Sequence, residues 1–328
     1  MYPSFSKNLG PIDIKKIREV LDCELKNLTH EENFENFLGL KKINKKSLTF
    51  LNDNEEPEKN TSNDYTIICT NKKYDRLNNS DQKAIIVRNV QESVAKISHV
   101  FYRDFNKKEI NEFDKPKFGN NCEIESGSKI ENGTIIGNNV SIGYGVFIGH
   151  NCIIGDNSRI EPNTIITNSI IEENVLIGRN SSIGQNGFGF FLKKNGNIRI
   201  YHHGKVILRS HVSIGSGCTI DRGSFDDTII GENTYLDNKC HIAHNVHIGS
   251  NSAFAAMTGV AGSAKIGNNV LIGGQAGIAG HVKIGNNVQI AAKSGVFNNL
   301  GDGESVMGNP AIKKYNFLKK YKTFYGKK

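Results

Sequence analysis

The sequence predicts a mainly β protein: a parallel β-solenoid, preceded by a small α/β domain and followed by a C-terminal helical segment. Three observations carry this expectation. Branched apolar residues recur every six positions through more than half of the chain, a period that fits neither an α-helix nor an alternating strand. Glycine is abundant, with 34 residues against 6 prolines and no tryptophan, as a fold with many tight corners requires. Residues 1–114 lack the period altogether and are rich in Asn, Lys and Glu.

The period can be followed residue by residue. Phe118, Ile124, Ile130, Ile136, Ile142, Ile148, Ile154, Ile160 and Ile166 hold one phase; after a one-residue slip, Ile171, Ile177 and Ile183 continue it. The phase then breaks, resumes at Leu208, Ile214 and Ile220, takes a four-residue insertion, and runs unbroken from Ile230 to Val296. Four residues after each apolar position stands a small or β-branched residue, as at Thr134, Val140, Ser158, Val246, Ala264 and Ser294. Two inward positions per hexad define a short strand and a corner, and three such faces close a triangular coil. The pairs Asn138-Asn139, Asn268-Asn269 and Asn286-Asn287 suit the corners, because Asn tolerates the left-handed backbone region.

This pattern resembles the hexapeptide-repeat family, whose fold is a left-handed parallel β-helix; the resemblance covers roughly residues 115–297. About nine coils are expected, each burying its Ile and Val stack on its neighbours, with both ends needing caps. The domains then run 1–114, 115–297 and 298–328. In the first, the apolar runs Ser47–Leu51, Tyr65–Cys69 and Lys83–Arg88 read as strands of an α/β domain. In the last, no acidic residue follows Glu304, and Lys313, Lys314, Lys319, Lys320, Lys322, Lys327 and Lys328 alternate with Tyr315, Phe317, Leu318, Tyr321 and Phe324, the pattern of a basic amphipathic helix.

Composition excludes several classes. No apolar run is long enough to cross a bilayer, and the N-terminus lacks a charged start followed by an apolar stretch, so a cytoplasmic location is expected. The net charge of +8 is not interleaved with aromatic residues in a stacking pattern, which favours a solvated basic surface over nucleic-acid binding. Six cysteines show no metal-binding spacing, and Cys122, Cys152, Cys218 and Cys240 occupy a repeat position shared with Ser, Thr, Ala and Val, so they read as core residues. His241, His244 and His247 recur at three-residue steps around a hexad turn and point from different parts of the coil, so no metal is expected.

The interruptions and histidines narrow the function. Asp221–Thr228, Leu236-Asp237-Asn238, Ile242-Ala-His244-Asn245-Val-His247, Ala261-Gly262-Ser263 and Gly280-His281 together closely resemble the UDP-3-O-acylglucosamine N-acyltransferase family of lipid A biosynthesis. Gln185-Asn-Gly-Phe-Gly-Phe190 also matches that family, in which a loop there leaves the helix and folds over a groove between subunits. The resemblance implies an enzyme in which His244 is the general base that takes a proton from the glucosamine 2-amine. Neutral imidazole suits the task because it titrates near working pH. The plain alternative is an exposed turn histidine.

The resemblance assigns the oxyanion donor to the backbone N–H of Gly262, a position that also reads as a corner glycine. It gives His281 a role in binding substrate or the phosphopantetheine arm; His244 and His281 should project from one face, two coils and roughly 10 Å apart. Asp237 and Asn238 fall near the sugar nucleotide, or else cap a turn. The N-terminal domain resembles the family's uridine-binding domain, with Phe50 as the base-stacking aromatic. Asp53 and Glu56, however, stand where that family has Asn and Tyr, and Tyr201-His202-His203-Gly204 replaces a Pro-Gln-containing stretch.

No cofactor is implied beyond an acyl donor carried on the phosphopantetheine of acyl carrier protein. The implied partners are a homotrimer, acyl carrier protein drawn to the basic tail, and a UDP-sugar. Gly295, lacking a side chain, should leave the acyl groove open to long chains. Another sugar-nucleotide acyltransferase and a non-catalytic β-helix scaffold are the competing readings.

Overall fold

The computed structural model describes residues 4–55, 65–77, 81–308, 319 and 322–323. A five-stranded sheet organises the N-terminal region in the order Cys23–Lys26, Ala84–Val87, Thr66–Cys69, Ser47–Phe50 and Asn36–Phe37. Its first pair is antiparallel and the other three are parallel. Leu48, Thr49, Ile67, Ile68, Ile85 and Ile86 are buried whichever way they point, as expected for strands covered on both faces. The helix Val90–Phe101 covers one face, its first turn capped by the Asn89 side chain, which accepts from the Glu92 N–H.

The solenoid has three parallel sheets. The first face begins at Lys117–Phe118 and has nine strands, the second begins at Glu123–Ile124 and has ten, and the third begins at Lys129–Ile130 and has nine. Every inward Ile or Val pairs in register with its counterpart one coil on, as Ile136 does with Ile154 and Ile248 with Ile266. These columns form one continuous core from Ile136 to Val296. Each fully buried aliphatic side chain contributes about 1.5–3 kcal/mol.

The second inward position of the hexad lies beside a corner, where a backbone carbonyl of the next coil is within reach. Hydroxyls there donate to it, from Thr134 to Gly149 O at 2.9 Å and from Ser158 to Glu172 O at 3.1 Å. That is why Ser and Thr alternate with Val at one core position without leaving a buried polar group unpaired. Cys152, Cys218 and Cys240 share it and are buried free thiols. Asn dominates the corner residues at positive φ, as at Asn139, Asn157, Asn269 and Asn287, and successive Asn side chains hydrogen-bond down the column.

The coils are of the left-handed hexapeptide type, and their offsets reveal where chain has been added. Ile136 and Ile154 stand 18 residues apart, Ile154 and Ile171 stand 17 apart, Ile171 and Leu208 stand 37 apart, and Leu208 and Ile230 stand 22 apart. All three irregularities fall at the corner between the third and first faces, on consecutive coils. The long excursion, 186–205, forms a hairpin of Phe190–Phe191 with Ile198–Arg199 that packs on the helix Val90–Phe101. The four extra residues lie within Arg222–Asp227, between the strands Thr219–Asp221 and Thr228–Ile230.

Both additions fasten the N-terminal region to the solenoid. Lys42 donates to Phe225 O at 3.2 Å and pairs with Asp227 at 3.0 Å, while the Tyr201 N–H donates to Ser98 Oγ at 2.9 Å. Arg222, fully buried, donates to Gly204 O at 2.7 Å and to Ser6 Oγ at 3.2 Å.

Past the expected end of the solenoid at 297, Ser305–Val306 pairs with Gln289–Ile290, so the second face continues to Val306. The basic helix expected over 310–328 lies outside the described residues, apart from Lys319, Lys322 and Thr323, which are helical. Among the described residues no helix is long and apolar enough to cross a membrane.

Candidate active site

One coil below the extended corners, the same corner carries His244. Its Nδ1 lies 2.8 Å from Asn245 Oδ1. The Asn245 amide is oriented by its other bonds, since Nδ2 donates to Asp226 O at 3.0 Å while Oδ1 accepts from the Ser224 N–H at 3.1 Å and from Ser224 Oγ at 2.8 Å. Oδ1 can therefore only accept from His244, which puts the imidazole proton on Nδ1 and leaves Nε2 with a bare lone pair. The inserted residues Ser224 and Asp226 thus set the tautomer of a histidine about 20 positions later.

Nε2 faces Gly262 on the next coil. A Cβ at that position would come within 2.8 Å of Nε2, so any side chain there would push the His244 ring aside. The flanking N–H groups serve the ladder, from Ala261 to Ile278 O at 2.9 Å and from Ser263 to His244 O at 2.9 Å. Gly262 N–H, between them, has no rung partner among the described residues. The His244 Nε2 and the Gly262 N–H thus adjoin one spot.

From there a groove of about 520 Å³ runs down the third face. Its floor is the in-register column Gly259, Gly277 and Gly295, beside Ala243, Ala261 and Ala279. A Cβ on Gly259 or Gly277 would meet nothing, whereas one on Gly295 would come 3.0 Å from the Phe297 ring. Phe188, from the excursion, and Phe297 border the groove with 78% and 79% of their surface exposed. The apolar floor and small residues suit a hydrocarbon chain.

The other expected site residues lie elsewhere in the chain. His281 is exposed at a positive-φ corner position, in column with Asn245 and Ser263 rather than with His244, and its N–H donates to Gly262 O at 3.1 Å. It lies outside the groove lining. Asp237 and Asn238 are exposed at the corner between the second and third faces, where Asp237 accepts from the Asn238 N–H at 2.7 Å and Asn238 from the Ser216 N–H at 2.8 Å. They line a second cavity of about 1000 Å³ on the second face, with Leu176, Tyr235 and Leu271. Phe50 is half-buried, 4.9 Å from Phe225 and 5.8 Å from Phe37 between ring centroids. Asp53 accepts from Thr70 Oγ1 at 2.6 Å, and Glu56 lies outside the described residues.

Several neighbours of His244 were not singled out for the site from sequence. His202, from the excursion, is buried with its ring centroid 5.4 Å from that of His244; burial, then His244, pushes it down to about 4. His203 stacks on Tyr102 at 4.1 Å and is pushed down to about 3, chiefly by burial. Asp221 is buried and held above the usual carboxylate range by that burial, against the opposing pull of His241 and the Gln185 amide. The three histidines at three-residue steps turn to separate partners: His241 to Thr219, His244 to Asn245 and His247 to Asp227 O. Among the described residues no group of three His, Cys, Asp or Glu side chains is placed to hold a metal.

Over part of its length the solenoid is similar to bacterial hexapeptide-repeat transferases. The family model for the bacterial transferase hexapeptide (six repeats) matches residues 115–150, 133–168, 227–262 and 263–298, and that for the hexapeptide repeat of succinyl-transferase matches 169–187. Among solved structures, LpxA from Acinetobacter baumannii superposes with a TM-score of 0.53 at 25% identity, over 60% of this chain and 77% of that one.

More particularly, curated relatives carry the name UDP-3-O-acylglucosamine N-acyltransferase. One from Sulfurimonas denitrificans is 53% identical over 76 residues, covering 23% of this chain and 24% of the relative. Another from Bradyrhizobium sp. is 47% identical over 76 residues, covering 23% of this chain and 21% of the relative. The matched segments thus span about a quarter or less of those relatives' length.

Proposed function

We propose that this chain transfers a (hydroxy)acyl group from acyl carrier protein to the 2-amine of UDP-3-O-acylglucosamine, acting as a cytoplasmic homotrimer. The observation that carries this reading is the bare His244 Nε2 facing Gly262 at the head of an apolar groove. The amine nitrogen attacks the thioester carbonyl carbon, and Nε2 takes the proton that nitrogen loses. Charge building on the carbonyl oxygen is stabilised by Gly262 N–H, which the rungs of Ala261 and Ser263 on either side hold in place, so that it needs no reorganisation. As the intermediate collapses, the C–S bond breaks and the departing thiolate takes the proton from the imidazolium. The acyl chain runs over Gly259 and Gly277 toward Gly295 and Phe297.

Two features support the trimer. The groove on the third face and the cavity on the second are both open and apolar, and Leu176, Tyr235 and Leu271 are 39%, 55% and 50% exposed on the latter. A closed threefold arrangement would set the second face of one subunit against the third face of the next, bringing a neighbour's Asp237 and Asn238 toward His244. Mass spectrometry of reactions containing acyl carrier proteins of several chain lengths and UDP-3-O-acylglucosamine tests the reading. N-acylated product is expected, and no product with any chain would overturn it.

A further inference from the structure

The His244 ring is held by hydrogen bonding at one nitrogen only. Among the described residues that bond runs from Nδ1 to Asn245 Oδ1 at 2.8 Å. One bond at one corner leaves the ring free to swing about it, whereas a reacting group must be held within about 0.5 Å of its productive place. The excursion supplies the rest, from both of its arms. On the way out, Gly187 passes so close that a Cβ there would come 2.7 Å from His244 Cβ and 3.0 Å from Cδ2. On the way back, His202 brings its ring to 5.4 Å between centroids, at 83° to the His244 ring. That is the edge-to-face arrangement aromatic pairs prefer.

His202 is itself firmly placed. It is 2% exposed, and a Cβ on Gly189 would come 2.7 Å from its Cε1. Its Nδ1–H donates to Ile200 O at 2.9 Å. The backbone N–H groups on either side are tied to different parts of the molecule, Tyr201 to Ser98 Oγ of the N-terminal region and His203 to Ser224 O of the insertion, each at 2.9 Å. Nε2 has no hydrogen-bond partner among the described residues. Neither nitrogen therefore bonds to His244, and what His202 offers is a flat ring in a fixed place. Burial first, then His244, with Arg222 and Arg199 adding, pushes it down to about 4, against the Ile200 carbonyl. An uncharged neighbour does not oppose the proton that His244 takes up.

We propose that His202 is a positioning residue for His244: its ring braces the imidazole so that Nε2 stays aimed at the spot beside Gly262. Buried as it is, the His202 ring does not reach substrate; it limits the swing that the bond to Asn245 leaves open. The use of such a brace rests on the acyl-transfer reading, while the brace itself is a matter of geometry. Tyr201-His202-His203-Gly204, which departs from the related family where a Pro-Gln-containing stretch stands, thus finds a role for one of its histidines.

Steady-state kinetics and histidine NMR test the brace together. In His202→Ala, kcat should fall by up to about 10²-fold, the usual cost of misplacing a reacting group by an ångström, with KM within about twofold of wild type. His202→Phe, which keeps a ring there without its nitrogens, should restore kcat to within about threefold. On the resting full chain, nitrogen-15 histidine spectra read the base without turnover, the His244 signals being assigned by their loss in His244→Ala. Wild type and His202→Phe should carry the His244 proton on Nδ1 alone, and His202→Ala should show a mixture of Nδ1–H and Nε2–H forms. If His202→Ala does not fold, His202→Gln, which fills similar space without a ring, is read in its place. Wild-type kcat in the ringless variant, a rise in KM at unchanged kcat, or a Phe variant as slow as the ringless one would each overturn the proposal. Absence of product from the wild type would reject the acyl-transfer reading and leave the spectra to decide, since a single Nδ1–H form retained without the ring overturns the brace by itself.

Discussion

The run of coils from Ile230 to Val296 and the corner formed by residues 186–205 and 222–227 obey different rules. In the regular run each residue answers to one 18 positions away, and almost every side chain is explained by a column of like residues above and below it. At the corner, residues answer to partners with no fixed spacing: Arg222 to Gly204 and Ser6, Ser224 to Asn245, and Phe225 to Phe37 and Phe50. The regular run supplies rigidity, and the irregular corner orients the His244 ring through Asn245. Stability and chemistry should therefore separate under substitution.

The largest effect is expected for His244→Ala. Loss of a general base commonly costs 10² to 10⁴ in rate, order of magnitude, while removal of a partly exposed imidazole leaves the columns intact. Turnover should fall by that factor with the melting temperature nearly unchanged; more than half of the wild-type kcat in the variant would reject the assignment. The opposite signature is expected for Ile154→Ala, deep in the first face and remote from the groove. Truncation of a fully buried aliphatic residue costs about 2–5 kcal/mol. Denaturant titration should register this, with kcat at permissive temperature unaltered; a comparable loss of kcat would show that the columns and the site are not separable.

A third test concerns pH. His202 and His203 titrate in the folded chain at about 4 and about 3, below the ordinary 6.5. The unfolded chain therefore binds more protons between those limits. Stability is full above pH 6.5 and declines as pH falls toward 4, by up to about 3 kcal/mol for each histidine. Replacing His203 by Phe should flatten the melting-temperature profile over that range, and an unchanged slope would show that this corner does not govern acid sensitivity. The smallest effect is expected for Phe297→Ala, which opens the foot of the groove. At about 0.8 kcal/mol per buried methylene, a donor longer by two carbons should gain roughly tenfold in competition, and an unaltered chain-length profile would remove Phe297 from the acyl path.

Much of the regular run was legible in the sequence, because a hexad core position is read one residue at a time and the ladder simply repeats it. The residues that meet at the groove, His244 and Gly262, were also legible, through motifs that keep them one coil apart. Their neighbours were not. Asn245 acquires its meaning only when Ser224 and Asp226 fold back on it, and His202 reaches His244 because an excursion of unpredictable path returns there. His281 misses the groove because one residue of phase moves a side chain from the wall to the turn. Phe297 carried no signal, since it stands beyond the last hexad and acts by overhanging Gly295.

The three successive offsets of 17, 37 and 22 residues at one corner also bear on how such a molecule can be altered. The ladder closes correctly whatever the length of chain between its rungs, so this corner behaves as a splice junction: segments can be lengthened, shortened or exchanged there while every strand keeps its partner. A peptide grafted between Lys193 and Gly196, at the tip of the hairpin, would be displayed without shifting the coils beneath. A single residue inserted between Tyr235 and Asp237 would turn Leu236 out of the core. The backbone is digital along its columns and permissive at one edge, and His244 stands on that edge.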